Sequence, residues 1–186
     1  MVSEQVYVAL MHYPCYNKTG AVVTTAITNL DLHDIARVSK TFNLGGYFVV
    51  NPQPAQRELA GKILSHWTSG YGSEYNPNRG EALSVVKVVP ELEDAISAIE
   101  AVSGARPKII ATAARQGGGV ASFSEMRELI KEGPHLILFG TGWGLTDEFL
   151  SVCDYRLEPV AGLAGYNHLP VRSAVAIILD RLLGYR

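Results

Sequence analysis

The sequence predicts an α/β fold, a mostly parallel sheet with helices on both faces, and three observations carry that prediction. Short apolar runs rich in β-branched and aromatic residues recur along the chain, segments of helical periodicity stand between them, and 47% of the 186 residues are hydrophobic. The runs are continuous rather than alternating, the pattern of strands covered on both faces.

The first strand is expected at Gln5 to Met11. Asp31 then precedes Leu32, Ile35, Ala36, Val38 and Phe42, which fall on one helical face, and an aspartate there reads as a helix start. Tyr47 to Val50 is the second strand. Residues 66–80, HWTSGYGSEYNPNRG, read as a long irregular segment. Ala82 to Val88 reads as a strand, Leu92, Ala95, Ile96 and Ile99 as one face of a helix, and Lys108 to Ala111 as a strand. Ser122 and Glu125 have capping-box spacing before a further helix, and His135 to Phe139 is the last apolar strand. A final helix over Leu169 to Leu183 is apolar on more than one stripe, so it is buried either against a second subunit or deep within its own; a homodimer is expected.

No internal repeat, low-complexity tract or linker divides the chain, so one domain over 1–186 is expected. Sixteen Lys and Arg stand against 18 Asp and Glu, and the net charge of -2 excludes a protein held to nucleic acid by bulk phosphate attraction; any RNA contact must rest on a local patch. The apolar run from Val6 to Met11 is too short for a signal peptide or membrane span, which predicts a cytoplasmic protein with no membrane partner. Cys15 and Cys153 lie far apart with no C-x-x-C or His/Cys spacing, so neither a metal site nor a redox motif is expected.

Three segments carry candidate chemistry. In HLILFGTGWGLTDEFL, residues 135–150, an apolar strand runs into Gly140, Gly142 and Gly144. Glycines allow φ > 0 and close backbone approach, and the carboxyl end of a strand in an open α/β sheet is where ligands sit. The run is neither G-x-G-x-x-G, since Leu145 stands where the last glycine is required, nor a P-loop. In YNHLPVRSAVAIILDRLLG, residues 166–184, the polar cluster Tyr166, Asn167, His168, Arg172 and Ser173 opens the apolar helix, with Pro170 at its start. Arg172, one turn into that helix, must reach solvent, an ion partner or a phosphate. In TNLDLHDIARVSKTFNLGGYFVV, residues 28–50, Asn29, Asp31, Asp34 and Arg37 fall within two turns, and an Asp34–Arg37 ion pair is expected.

Taken in order, the three segments resemble the motifs of the SPOUT RNA methyltransferases. DLHDIARVSKTFNLGGYFVV resembles the first motif, LILFGTGWGL the second and HLPVRSAVAIILDRLLG the third. The strongest resemblance is to the small family found alone or fused to the bacterial tRNA guanine-N1 methyltransferase. It implies an S-adenosylmethionine-dependent RNA methyltransferase acting on tRNA or rRNA, at either a base or a ribose 2'-hydroxyl, a C-terminal trefoil knot and a homodimer. The cofactor residues it implies are Thr112, then Leu138, Phe139, Gly140, Thr141, Gly142, Gly144 and Leu145, then Leu157 and Val160, then Asn167, His168, Leu169, Val171 and Ser173. The chain departs from the ribose-methylating pattern at Asp31, where the pattern has Asn, and at Pro170 and Arg172, where it has Asn and Ser.

The sulfonium methyl is already activated, so catalysis is chiefly a matter of holding the acceptor in line. A hydroxyl acceptor must also lose a proton. Guanidinium cannot take it, so Arg37 is expected to hold phosphate or orient the acceptor, Asp31 or Asp34 to receive the proton, and Arg172 to complete the acceptor site. Trp67, Tyr71, Tyr75 and Arg79 could stack on unpaired bases or belong to a surface loop, and His12, Tyr16, Asn17 and Lys18 are a second candidate RNA contact. Two other readings stand beside the enzyme: a non-catalytic S-adenosylmethionine- and RNA-binding protein, and a Rossmann-type nicotinamide oxidoreductase.

Overall fold

A computed structural model describes residues 1–115, 119–164 and 166–184. The strands and helices, in chain order, are β1 (Val6–Met11), β2 (Cys15–Tyr16), β3 (Val22–Val23), α1 (Asn29–Thr41), β4 (Gly46–Val50), α2 (Pro54–Thr68), α3 (Tyr71–Tyr75), α4 (Pro77–Leu83), β5 (Val86–Val89), α5 (Leu92–Ser103), β6 (Lys108–Ala111), α6 (Phe123–Leu129), β7 (His135–Gly140), α7 (Asp147–Ser151), β8 (Tyr155–Arg156) and α8 (Val171–Leu183). Six of the strands form one sheet in the order β5-β4-β1-β7-β6-β8, and every pairing in it is parallel. β2 and β3 pair antiparallel as a small separate ribbon.

β1 explains why the apolar runs are continuous. Val6, Val8 and Leu10 point into a core shared with α1, α6 and α8, while Tyr7, Ala9 and Met11 point into a second core shared with α5 and α7. Both faces are dry, so both strand parities must be apolar, and burying each large side chain contributes roughly 1.5–3 kcal/mol. Helices therefore cover both faces of the sheet.

Three local expectations are revised. Thr28, not Asp31, caps α1: its side chain accepts the Asp31 amide, which leaves Asp31 in the first turn where a carboxylate complements the helix dipole. Residues 66–80 are largely helical, because Pro77 suits a first turn and Asn76 caps α4 by accepting the Arg79 amide. Ala82 and Leu83 consequently close α4, and the strand begins only at Val86. The capping box at Ser122 and Glu125 forms as read. Among the described residues no helix is long and apolar enough to cross a membrane, and both cysteines are free.

Candidate active site

β1, β6 and β7 end side by side, and the loops leaving them build the site. After Gly140 the chain turns sharply, with Gly142 at φ 59° and Gly144 at φ 95°. A Cβ on Gly140 would lie 2.9 Å from the Leu145 amide nitrogen, so the turn closes only because that position is bare. The loop is sewn to the segment after β1: Tyr16 donates its amide to the Gly144 carbonyl (2.9 Å), Trp143 donates to the Tyr16 carbonyl (3.0 Å), and Thr141 Oγ1 donates to the Met11 carbonyl (3.0 Å). Thr112, leaving β6, donates both its amide (3.1 Å) and its hydroxyl (2.8 Å) to the Leu138 carbonyl. Asn167 Nδ2 donates to the Ala114 carbonyl at 2.8 Å and ties the chain before α8 to the β6 exit.

These loops enclose a cavity of about 770 Å³, within the range of small-molecule and cofactor sites. Its wall comprises Thr112 to Arg115, Phe139 to Leu145, Val160, Asn167 to Val171, and Ala174 and Ile178 one turn apart on α8. Thr25, Ala26, Thr28 and Asp31 close it from the start of α1. The lining is chiefly apolar. Among the described lining residues Asp31 is the single carboxylate and Arg115 the single guanidinium.

Of the residues marked in the sequence, Thr112, Phe139, Gly140, Thr141, Gly142, Gly144, Leu145, Val160, Asn167, His168, Leu169 and Val171 meet at this cavity. Leu138, Leu157 and Ser173 do not line it: Leu138 and Leu157 are buried in the core, and Ser173 is exposed. Trp143, inside the marked glycine run, lines the cavity as well, whereas sequence reasoning missed Thr25 and Arg115. Arg115 donates to the Leu145 carbonyl (3.2 Å), pairs with Asp147 (3.2 Å) and lies over the Tyr16 ring at 5.5 Å. The signal for it lay in Thr112, which already marks the β6 exit as part of the site three residues before Arg115.

The charged residues regroup. Arg172 forms ion pairs across the chain, Nη1 with Asp34 Oδ2 at 2.7 Å and Nε with Asp31 Oδ1 at 3.4 Å, so the expected Asp34–Arg37 pair gives way to Asp34–Arg172. This clamp joins α8 to α1. Asp31, only 8% exposed, also accepts from the Thr28 hydroxyl at 2.7 Å. Arg37 is exposed and makes no ion pair among the described residues.

His12 is fully buried beneath the loop, its Nδ1 2.8 Å from Thr25 Oγ1, and burial pushes its pKa down to about 4. It therefore cannot reach RNA as the sequence suggested. Asn17 is likewise occupied, accepting the Thr19 and Ala21 amides at 2.9 Å to hold its own turn. Burial and the neighbouring Asp154 raise the Cys153 thiol to about 11, which leaves it protonated and unreactive. Among the described residues no group of three His, Cys, Asp or Glu is placed to hold a metal.

The helix after the glycine turn argues against dinucleotide chemistry. α7 opens on Asp147 and Glu148 and spans five residues, so carboxylates occupy the end where a pyrophosphate would need bare amides.

Residues 5–184 match a family model described as SAM-dependent RNA methyltransferase. The chain is 50% identical over 181 residues to a tRNA (guanine-N(1)-)-methyltransferase of Oleidesulfovibrio alaskensis, covering 97% of this chain and 42% of that relative. It thus spans less than half the length of that curated relative. An uncharacterized protein of Aquifex aeolicus is 40% identical over 184 residues, 98% of this chain and 90% of that one. The SpoU methyltransferase AviRb from Streptomyces viridochromogenes, solved in complex with AdoMet, shares the fold with a TM-score of 0.57 at 17% identity, over 95% of this chain and 56% of that one. With the family model covering nearly the whole chain, this chain belongs to that family of S-adenosylmethionine-dependent RNA methyltransferases, and its six-stranded parallel sheet is the fold it shares with the SpoU enzyme.

Proposed function

We propose that residues 1–186 fold as one methyltransferase domain, knotted at its C-terminus, that transfers the methyl group of S-adenosylmethionine to RNA as a cytoplasmic homodimer. The observation that carries this reading is the cavity itself: glycine loops converge on a largely apolar space with one carboxylate and one guanidinium facing it. That donor set suits an adenine, a sulfonium and an amino-acid carboxylate together.

Bound S-adenosylmethionine supplies a methyl group on a positively charged sulfur, already poised for in-line displacement. The loops Thr141 to Leu145 and Asn167 to Val171 would hold the cofactor, and Arg115 would face its carboxylate. Asp31 stands at the cavity with its orientation fixed by Thr28 and Arg172, and we assign it the proton of the acceptor hydroxyl. Asp34 anchors Arg172, and exposed Arg37 is free to meet phosphate.

A ribose 2'-hydroxyl of tRNA is the acceptor we favour. The tRNA part leans on the named relatives; their guanine-N1 activity belongs to proteins more than twice this length and need not reside in the matched stretch. Exposed Leu30, Trp143, Leu163, Tyr166 and Leu169, on segments around the cavity, support a second copy covering this side.

Incubation with methyl-labelled cofactor and total tRNA or rRNA, followed by nucleoside mass spectrometry, tests the reading. A labelled 2'-O-methyl nucleoside is expected, and Asp31→Ala should lower kcat by about 10²–10⁴-fold with cofactor affinity little changed. Cofactor binding without any labelled nucleoside would instead support a non-catalytic binding protein.

A further inference from the structure

Residues 66–80 are the one singled-out segment that the cofactor site does not use, and they form a built surface rather than a loop. α3 and α4 pack directly on the end of α2: a Cβ on Gly72 would lie 2.7 Å from the Trp67 ring, and one on Gly80 would lie 2.6 Å from the Trp67 carbonyl oxygen. Trp67 is held edge-on by His33 at 5.4 Å and His66 at 5.1 Å, and the Arg79 guanidinium lies 4.7 Å from its ring centroid. One turn apart on α3, Tyr71 and Tyr75 stack on each other, centroids 6.3 Å apart at 23°, yet are 72% and 74% exposed. Two parallel phenol rings held in water contribute little to the core.

We propose that α2–α4 form a platform on which unpaired RNA bases stack, with Tyr71 and Tyr75 as its contact surface and Arg79 and Arg37 as its phosphate partners. This rests on reading the chain as an RNA methyltransferase. Exposed aromatics beside cations are the chemistry by which single-stranded RNA is held, since every base offers a π-face and every linkage a charge. Nearby Glu81 is engaged by Lys40 at 3.0 Å, whereas Arg79 and Arg37 have no ion-pair partner among the described residues. Both arginines also act on His33, where their positive charge adds to burial in lowering its pKa.

α1 connects the platform to the cavity. Asp31 lines the cavity, Asp34 holds Arg172, and His33 between them touches Trp67. At 1.5 Å of rise per residue, Arg37 stands about 9 Å along the helix axis from Asp31. A strand whose acceptor nucleotide lies at Asp31 can therefore pass Arg37 on its way along α1, the helix against which α4 of the platform packs.

The test compares wild type, Tyr71→Ala/Tyr75→Ala and Tyr71→Phe/Tyr75→Phe for binding of a fluorescent single-stranded RNA oligonucleotide by anisotropy, with cofactor binding by calorimetry in parallel. Because the rings are exposed, both variants should fold. The alanine pair should weaken RNA binding about 10-fold or more, the phenylalanine pair should stay within about twofold, and cofactor affinity should not change. Equal RNA affinity in wild type and the alanine pair, or no RNA binding by wild type, overturns the platform. Loss of self-association in place of RNA binding overturns it too, by identifying a protein contact. Loss of RNA affinity in a protein that binds no S-adenosylmethionine would leave the platform standing and reject the proposed activity.

Discussion

Two glycine-rich, aromatic-bearing segments, Gly140–Gly144 and Gly70–Gly80, look alike in the sequence and do opposite things in the fold. In the first, Gly142 and Gly144 adopt positive φ and the backbone is turned toward a cavity. In the second, Gly72 and Gly80 have ordinary backbone angles and serve as bare spots where helices touch Trp67. The difference teaches that a glycine at positive φ after a strand is there for conformation, whereas a glycine beside a tryptophan within a helical run is there for contact. The first makes a site, and the second makes a surface.

The comparison can be broken first with acid. His12, beneath the glycine exit, has its pKa held at about 4, below the ordinary 6.5, so the unfolded chain takes up the proton first. Stability is complete above pH 6.5 and falls toward pH 4, by roughly 3 kcal/mol. Urea unfolding at the two pH values should show that loss in wild type, and His12→Asn should flatten it; equal slopes for both proteins would contradict the role given to burial. Gly80→Ala is next. The added Cβ meets a backbone carbonyl, so about 1–3 kcal/mol of stability should be lost, read as a Tm lower by several degrees, with cofactor affinity unchanged. Gly144→Ala should behave in the reverse way. Its Cβ meets nothing within 4 Å, but φ 95° is strained for any side chain, so roughly 1–2 kcal/mol should appear mainly as weaker cofactor binding. The smallest effect is Glu81→Gln, which breaks the exposed pair with Lys40 and should cost under about 1 kcal/mol in thermal unfolding.

The sheet was legible because β1, β4, β6 and β7 are apolar at both parities, and only a strand dry on both faces demands that. The glycine exit of β7 was legible for the same reason, since it follows such a strand directly. Residues 66–80 were not, because the glycines and Pro77 that break helical periodicity are the contact points and first-turn residues of short helices. The Arg172 clamp was hidden for another reason: Arg37 is Asp34's neighbour in sequence, whereas the partner that wins lies 138 residues away and is delivered by α8. Local spacing reports which pairs are possible, and topology decides among them. Arg115 was harder to read, because the β6 exit that holds it carries no glycine next to the strand and only Thr112 marks it.

Calorimetric titration of S-adenosylmethionine into wild type and Gly140→Ala tests most directly that the cavity at the β7 exit is the cofactor site. One cofactor per chain should bind wild type, and the variant, whose new Cβ would sit 2.9 Å from the Leu145 amide, should bind at least about 10-fold more weakly while remaining folded. Absence of binding to wild type, or equal affinity in the two proteins, would contradict it.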